Sequence, residues 1–191
     1  MKTYTLAMAE FSKKIMVVYS SKTGLTEQYA AWIAEDLHAP LFKLEELSRE
    51  ELETCPIVVY GGGLYAGVIH GLHKLKKRLS KDIPVRRLIV FATGASPASP
   101  QQLQTTRNGN FSREEQAQIP FFYYQAGIHY ERMKAGDRFL MRLFNGFQLI
   151  ASLRKGRERK PAPKAISANL CDRADIAPLL EQVRRWKRQG R

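Results

Sequence analysis

The chain has 191 residues and two cysteines, Cys55 and Cys171, so its length suits one large domain that buries a core without disulfide support. Lys and Arg number 31 against 18 Asp and Glu, a formal charge of +13, and a field of that sign attracts polyanions. The wide cysteine separation excludes a Cys-x-x-Cys metal or redox pair and fits a reducing compartment, and no apolar run reaches the ~18 residues of a membrane span.

Residues 1–13 read as an N-terminal extension, in which the apolar run Tyr4 to Ala9 is too weak and too close to the first strand for a signal peptide. Ile15 to Tyr19 is then an unbroken apolar run of strand length. It is followed by Ser20-Ser21-Lys22-Thr23-Gly24-Leu25-Thr26 and at once by a helical pattern, so a strand ends in a hydroxyl-rich turn beneath a helix N-terminus. Such a turn is a phosphate cradle. The hydroxyls of Ser21, Thr23 and Thr26 can bond phosphate oxygens, Gly24 lets the backbone approach, and the helix adds free N–H groups and a favourable dipole. No Lys-Ser/Thr pair follows Gly24 as a Walker A loop requires, which argues against nucleoside triphosphate hydrolysis. The helix puts Leu25, Tyr29, Trp32, Ile33 and Leu37 on one stripe, with Glu27, Gln28 and Glu35 left to water.

Further strands are expected at Leu41 to Leu44, Ile57 to Tyr60, Leu88 to Ala92 and Phe121 to Ala126. Ser48 with Glu51, and Ser112 with Glu115, have capping-box spacing and open helices; others are expected from Ile69 to Leu79 and from Ile176 to Arg188. Continuous apolarity means strands covered on both faces, and strands alternating with helices imply a parallel, doubly wound α/β sheet. Ligands of such sheets bind at the carboxyl ends of the strands.

Two more loops lie there. After the third strand the chain reads Gly61-Gly62-Gly63-Leu64-Tyr65-Ala66-Gly67, taken as a turn whose glycines let backbone approach a flat ring edge while Tyr65 supplies a stacking face. A Gly-x-Gly-x-x-Ala match within it is a decoy, because the dinucleotide fingerprint belongs after the first strand. After the fourth strand, Thr93-Gly94-Ala95-Ser96-Pro97-Ala98-Ser99-Pro100 could cover the other side of the same ring, or serve beyond Ala95 as a plain connector.

Beyond the fifth strand, residues 128–165 form a basic insertion. Phe139, Leu140, Leu143, Phe144, Phe147 and Ile150 share one helical face opposed by Arg138, Arg142, Asn145 and Ser152, a pattern suited to a headgroup layer, to the sheet or to a second subunit. Arg154, Lys155, Arg157, Arg159, Lys160 and Lys164 follow, and Arg184, Arg185, Lys187, Arg188 and Arg191 recur near the end. An anionic membrane face or a carboxylate-bearing substrate fits this charge; nucleic acid fits it too, but no RNA- or DNA-recognition motif supports that partner. His129 is a candidate proton shuttle or a structural residue, and His38, His70 and His73 carry no metal-ligand pattern.

Together these features resemble the flavodoxin family. Ser21 to Thr26 match its FMN-phosphate loop, with Leu25 where asparagine is common, and Gly61 to Gly67 look like its ring-stacking loop. The resemblance implies FMN as cofactor and a five-stranded sheet of order 2-1-3-4-5. The cofactor-binding set it implies is Ser21, Lys22, Thr23, Gly24, Leu25, Thr26, Gly63, Leu64, Tyr65, Ala66, Gly67, Thr93, Gly94 and Ala95. A narrower resemblance, in Ala126-Gly127-Ile128-His129-Tyr130 and in Asp137 to Leu143, is to the menaquinone-dependent protoporphyrinogen dehydrogenases, with Tyr65-Ala66-Gly67 replacing an expected Arg-Tyr-Gly. It implies a cytoplasmic enzyme at the inner membrane surface that passes electrons from a reduced substrate through FMN to a quinone. Arg132, Arg138 and Arg142 would then hold substrate carboxylates. The other reading is an electron-carrier flavodoxin docking on a redox protein; carriers of that family are usually acidic.

Overall fold

The computed structural model describes residues 15–79, 88–97, 99–128 and 168–189. Strand β1 (Ile15–Ser20) leads through the loop 21–24 into helix α1 (Leu25–Leu37), then strand β2 (Leu41–Lys43), a 3-10 turn at Leu44–Glu46 and helix α2 (Arg49–Thr54). Strands β3 (Ile57–Tyr65) and β4 (Val68–Ile69) precede helix α3 (Leu72–Arg78) and strand β5 (Leu88–Gly94). Helices α4 (Pro100–Asn110) and α5 (Arg113–Gln118) come before strands β6 (Phe121–Gln125), β7 (Gly127–Ile128) and β8 (Ala168–Asn169). A 3-10 turn at Arg173–Ile176 and helix α6 (Ala177–Gln189) close the described chain.

All pairings among β2, β1, β3, β5 and β6 are parallel, and these five strands lie in that order. This is the 2-1-3-4-5 arrangement expected, with β4 added as a short antiparallel strand on β3. Every residue of β1 is buried, as a continuous apolar run between two helical layers requires. Alternate side chains feed two cores. Ile15, Val17, Tyr19, Val59, Ile89, Phe91 and Tyr124 meet α1 and α6, while Met16, Val18, Val58, Tyr60, Val90 and Ala92 meet Leu52, Leu72, Leu75 and Phe111.

The apolar stripe of α1 is buried as its spacing predicts, with Trp32 only partly covered. Ile33 has no exposed surface, so its truncation to alanine costs about 2–5 kcal/mol. Tyr29, on the same stripe, accepts a bond from the Asp172 N–H at 3.1 Å; its hydroxyl proton faces the Asp175 carboxylate at 2.9 Å and the Gln125 carbonyl at 3.0 Å. The segment that carries α6 is thereby fastened to α1 from within the core. Both capping boxes form as expected: Ser48 and Ser112 accept from the N–H groups of Glu51 and Glu115, whose carboxylates accept in return.

Four expectations are corrected. The helix expected from Ile69 begins at Leu72, because Val68 and Ile69 pair with Tyr65 and Leu64, and Gly71 at φ 78° turns the chain into the helix. Leu44 leaves β2 for a 3-10 turn, and β6 ends at Gln125, one residue before Ala126. The link between β5 and β6 contains a full helix, α4, opened by Ser99 as N-cap, which accepts from the Gln102 N–H, and by Pro100 in its first turn. No helix among the described residues is long and apolar enough to cross a membrane. The extension 1–13 and the insertion beyond Ile128, with His129, Arg132, Arg138, Arg142 and the amphipathic face, lie outside the described residues.

Candidate functional site

Parallel register brings three loops to one edge of the sheet. Ser20 lies opposite Gly62, Gly63 opposite Thr93, and Gly94 opposite Gln125, so the segments after β1, β3 and β5 emerge side by side at the carboxyl ends.

In the first loop Gly24 takes φ 89°, a left-handed conformation that favours glycine, and donates its N–H to the Ser21 hydroxyl at 3.0 Å. No side chain caps α1. The N–H groups of its first turn, at Leu25, Thr26 and Glu27, therefore face out of the helix without a side-chain cap, which makes this end electropositive, the kind of helix end that suits an anion. Ser21 and Thr23 stand half-buried at its mouth.

Thr26 is placed differently from expectation. It is only 3 % exposed, and its hydroxyl shares a 2.7 Å hydrogen bond with that of Thr93. Its side chain fastens the loop after β1 to the end of β5, so the side chain is engaged within the protein and only the main-chain N–H is left to meet an anion. Glu27, in the same turn, accepts a hydrogen bond of 2.6 Å from Tyr19, and burial of Tyr19 together with that carboxylate pushes its phenol well above the usual tyrosine range.

The second loop is much shorter than expected. β3 runs on to Tyr65, and only Ala66 (φ 50°) and Gly67 (φ 83°) turn the chain into β4. A two-residue connection with both angles positive suits a hairpin, but Ala66 lacks glycine's freedom and loses roughly 1–2 kcal/mol in that conformation. The three glycines are strand residues, each cleared for a different neighbour. A Cβ on Gly61 would lie 2.1 Å from the Phe91 ring, one on Gly62 would lie 2.6 Å from the His70 carbonyl, and one on Gly63 would lie 2.9 Å from the Tyr65 ring. Tyr65 therefore lies over Gly63. The Lys22 ammonium sits 4.9 Å from the centre of its ring, which joins the cradle to the hairpin through a cation–π contact.

Thr93 and Gly94, expected in the third loop, are the last residues of β5, and the loop itself opens at Ala95. The Gly94 carbonyl accepts from the Ala126 N–H at 2.8 Å, and a Cβ on Gly94 would lie 2.2 Å from the Tyr123 hydroxyl, which donates to the Ser96 carbonyl at 2.7 Å. The missing side chain of Gly94 thus makes room for Tyr123, and Ala95 stays exposed.

Sequence reasoning passed over two residues of this edge. His70 shares a 2.8 Å hydrogen bond with the buried Ser20 hydroxyl and meets the Tyr65 ring edge-on at 5.9 Å, so it stands between the cradle and the hairpin. Asn110 bonds the hairpin turn itself. Neither carries a local signal, because each acquires its neighbours only through β4 and α4. Among the described residues no His, Cys, Asp and Glu gather as a metal site.

The flavodoxin domain family matches residues 16–148 of this sequence. The chain belongs to the flavodoxin family. FMN is the cofactor of that family, and the uncapped helix end beside two hydroxyls suits its phosphate. Among solved structures, a flavodoxin from the domain Archaea is similar at 13 % identity, with 62 % of this chain and 87 % of that chain covered and a TM-score of 0.44. Flavodoxin 2 from Bacillus cereus is similar at 17 % identity over 59 % of this chain and 85 % of its own, with a TM-score of 0.40. A WrbA-like flavodoxin from Agrobacterium tumefaciens is similar at 19 % identity over 76 % and 100 %, with a TM-score of 0.41. No curated protein matches the sequence.

Proposed function

We propose that this flavodoxin-family chain is an FMN-dependent oxidoreductase whose α1 N-terminus holds the cofactor's phosphate. The observation that carries the reading is the first turn of α1, left without a side-chain cap after Gly24 and flanked by the Ser21 and Thr23 hydroxyls. Lys22 adds positive charge at the same mouth. Leu64, Tyr65, Ala66 and Gly67 would lie on one side of the ring, with Gly63 beneath the Tyr65 face, and Thr93, Gly94 and Ala95 on the other.

Bound FMN supplies hydride acceptance and single-electron release, and the protein supplies placement and field. Thr26 and Thr93 keep cradle and third loop in register, and the Lys22 contact holds Tyr65 beside the phosphate end.

The electron donor in this reading is a reduced organic substrate with carboxylates, protoporphyrinogen IX being the specific candidate, and the acceptor is a quinone at an anionic membrane surface. Two features support it besides the resemblance in residues 126–143. Residues 129–167 carry ten Lys and Arg against three Asp and Glu, including Arg132, Arg138 and Arg142. The two ends of that stretch are paired through β7 and β8, beginning just past Ala126, which bonds Gly94 of the third loop.

The test is a fluorescence titration with FMN, followed by turnover. Thr23→Asp places a carboxylate against the phosphate and should weaken FMN at least about tenfold, a difference of about 1.4 kcal/mol, with riboflavin affinity unaffected. Oxidation of protoporphyrinogen IX by a menaquinone analogue supports the enzyme reading. Electron transfer only to another protein would replace it with a carrier.

A further inference from the structure

We propose that Asn110, the last residue of α4, is a positioning residue that sets Tyr65 against the flavin by clamping the β3–β4 turn. The inference rests on the FMN reading above.

The side-chain amide of Asn110 is engaged on both sides. Its Nδ2 donates to the Gly67 carbonyl at 2.7 Å and to the Thr106 carbonyl at 2.8 Å, while its Oδ1 accepts from the Ile69 N–H at 2.8 Å. One side chain therefore holds the turn residue Gly67 and the return strand at Ile69, which pairs with Leu64 beside Tyr65. These contacts also fix which way the amide faces, since exchanging its oxygen and nitrogen would set oxygen against two carbonyls and nitrogen against an N–H.

The hairpin needs such support. It has two residue pairs, Leu64 with Ile69 and Tyr65 with Val68, its turn carries a left-handed alanine at Ala66, and Val68 is 59 % exposed. A ladder that short is marginal without an outside partner. The partner is itself anchored without the Asn110 side chain. Lys76 donates to the main-chain carbonyl of Asn110 at 2.7 Å and to Glu115 at 2.6 Å, and its ammonium lies over the Phe111 ring at 4.9 Å. Substitution of Asn110 thus leaves the end of α4 docked and releases the turn.

The experiment compares wild type, Asn110→Ala and Asn110→Asp, the last nearly isosteric and able to accept from Ile69 but unable to donate to Gly67. In cofactor-free protein, amide exchange at Ile69 should rise about tenfold or more in Asn110→Ala while central amides of β1 and β5 keep their rates. Both variants should bind FMN about tenfold more weakly and quench its fluorescence less, with the ratio of riboflavin to FMN dissociation constants unchanged because the phosphate cradle is intact. Wild-type affinity and quenching in both variants would overturn the proposal, as would a collapsed ratio or accelerated exchange throughout the sheet. A wild-type chain that fails to bind FMN overturns the functional reading as well, whereas a binding wild type with unaltered variants overturns this inference alone.

Discussion

The hydroxyls of Thr26 and Thr93 lie 2.7 Å apart in the buried interior, joining the first turn of α1 to the end of β5. The bond connects the loop after β1 to the end of the strand that leads into the loop after β5, and its members are 67 residues apart in sequence. Removing one member strands the other. Thr93→Val should lower stability by about 1–3 kcal/mol, whereas Thr26→Val with Thr93→Val should lose less than the sum of the two single changes, because no orphaned hydroxyl remains. Urea denaturation of the four proteins in the cycle measures this, and strict additivity would show that the two groups are independent.

Gly61 is open to an equally direct test. Alanine there places a methyl group against the Phe91 ring, and overpacking of this kind costs about 1–3 kcal/mol. Thermal unfolding should show Gly61→Ala destabilised and largely rescued by Phe91→Leu, which removes the ring atoms that the methyl meets. Gly62→Ala meets the His70 carbonyl as well as the Ile69 side chain, both at 2.6 Å, so trimming Ile69 alone should not restore it.

These glycines also show where local sequence stops being informative. The unbroken run of β1, the stripe of α1 and the two capping boxes specify their elements by nearest-neighbour chemistry, and each stands where its pattern puts it. Gly61-Gly62-Gly63 reads locally as a turn, yet it is strand, because the space it leaves belongs to Phe91, Ile69 and Tyr65 and only tertiary packing reveals that. The loop before α1 is legible as hydroxyl-bearing residues and a glycine ahead of a helical pattern. The Thr93 partner of Thr26 and the Asn110 clamp are not, since each depends on segments that come together only in the folded sheet. Ser99 and Pro100 were a usable signal for α4, masked by the turn-forming residues around them.

Tyr124 carries the one buried side-chain polar atom among the described residues that lacks a hydrogen-bond partner. Its ring stacks on Tyr29 at 4.8 Å and packs near Phe91 at 5.5 Å, so packing fixes the ring while its hydroxyl goes unpaired, and burial raises the phenol far above the ordinary tyrosine value. Tyr124→Phe keeps both ring contacts and should raise stability by about 1 kcal/mol in urea. A loss of stability would mean that the hydroxyl is satisfied after all.

Alkaline pH should weaken the fold. Burial, with the Asp175 carboxylate adding to it, raises the Cys171 thiol to about 11, and burial raises Cys55 in the same direction. The folded protein therefore holds thiol protons that the unfolded chain releases near its ordinary pKa of about 8.5. The stabilisation is complete below that pH and is lost as the pH rises through about 11. Denaturation midpoints should fall above about pH 9, and iodoacetamide at pH 8.5 should modify native Cys171 far more slowly than the unfolded chain. Equal rates would contradict the shift.

The most direct measurement is a crystal structure of the protein soaked with FMN. Phosphate density is expected against the Ser21 and Thr23 hydroxyls and the N–H groups of the first turn of α1, with the ring between Tyr65 and Gly94-Ala95. An empty loop in crystals that hold FMN elsewhere, or that take up none, would contradict it.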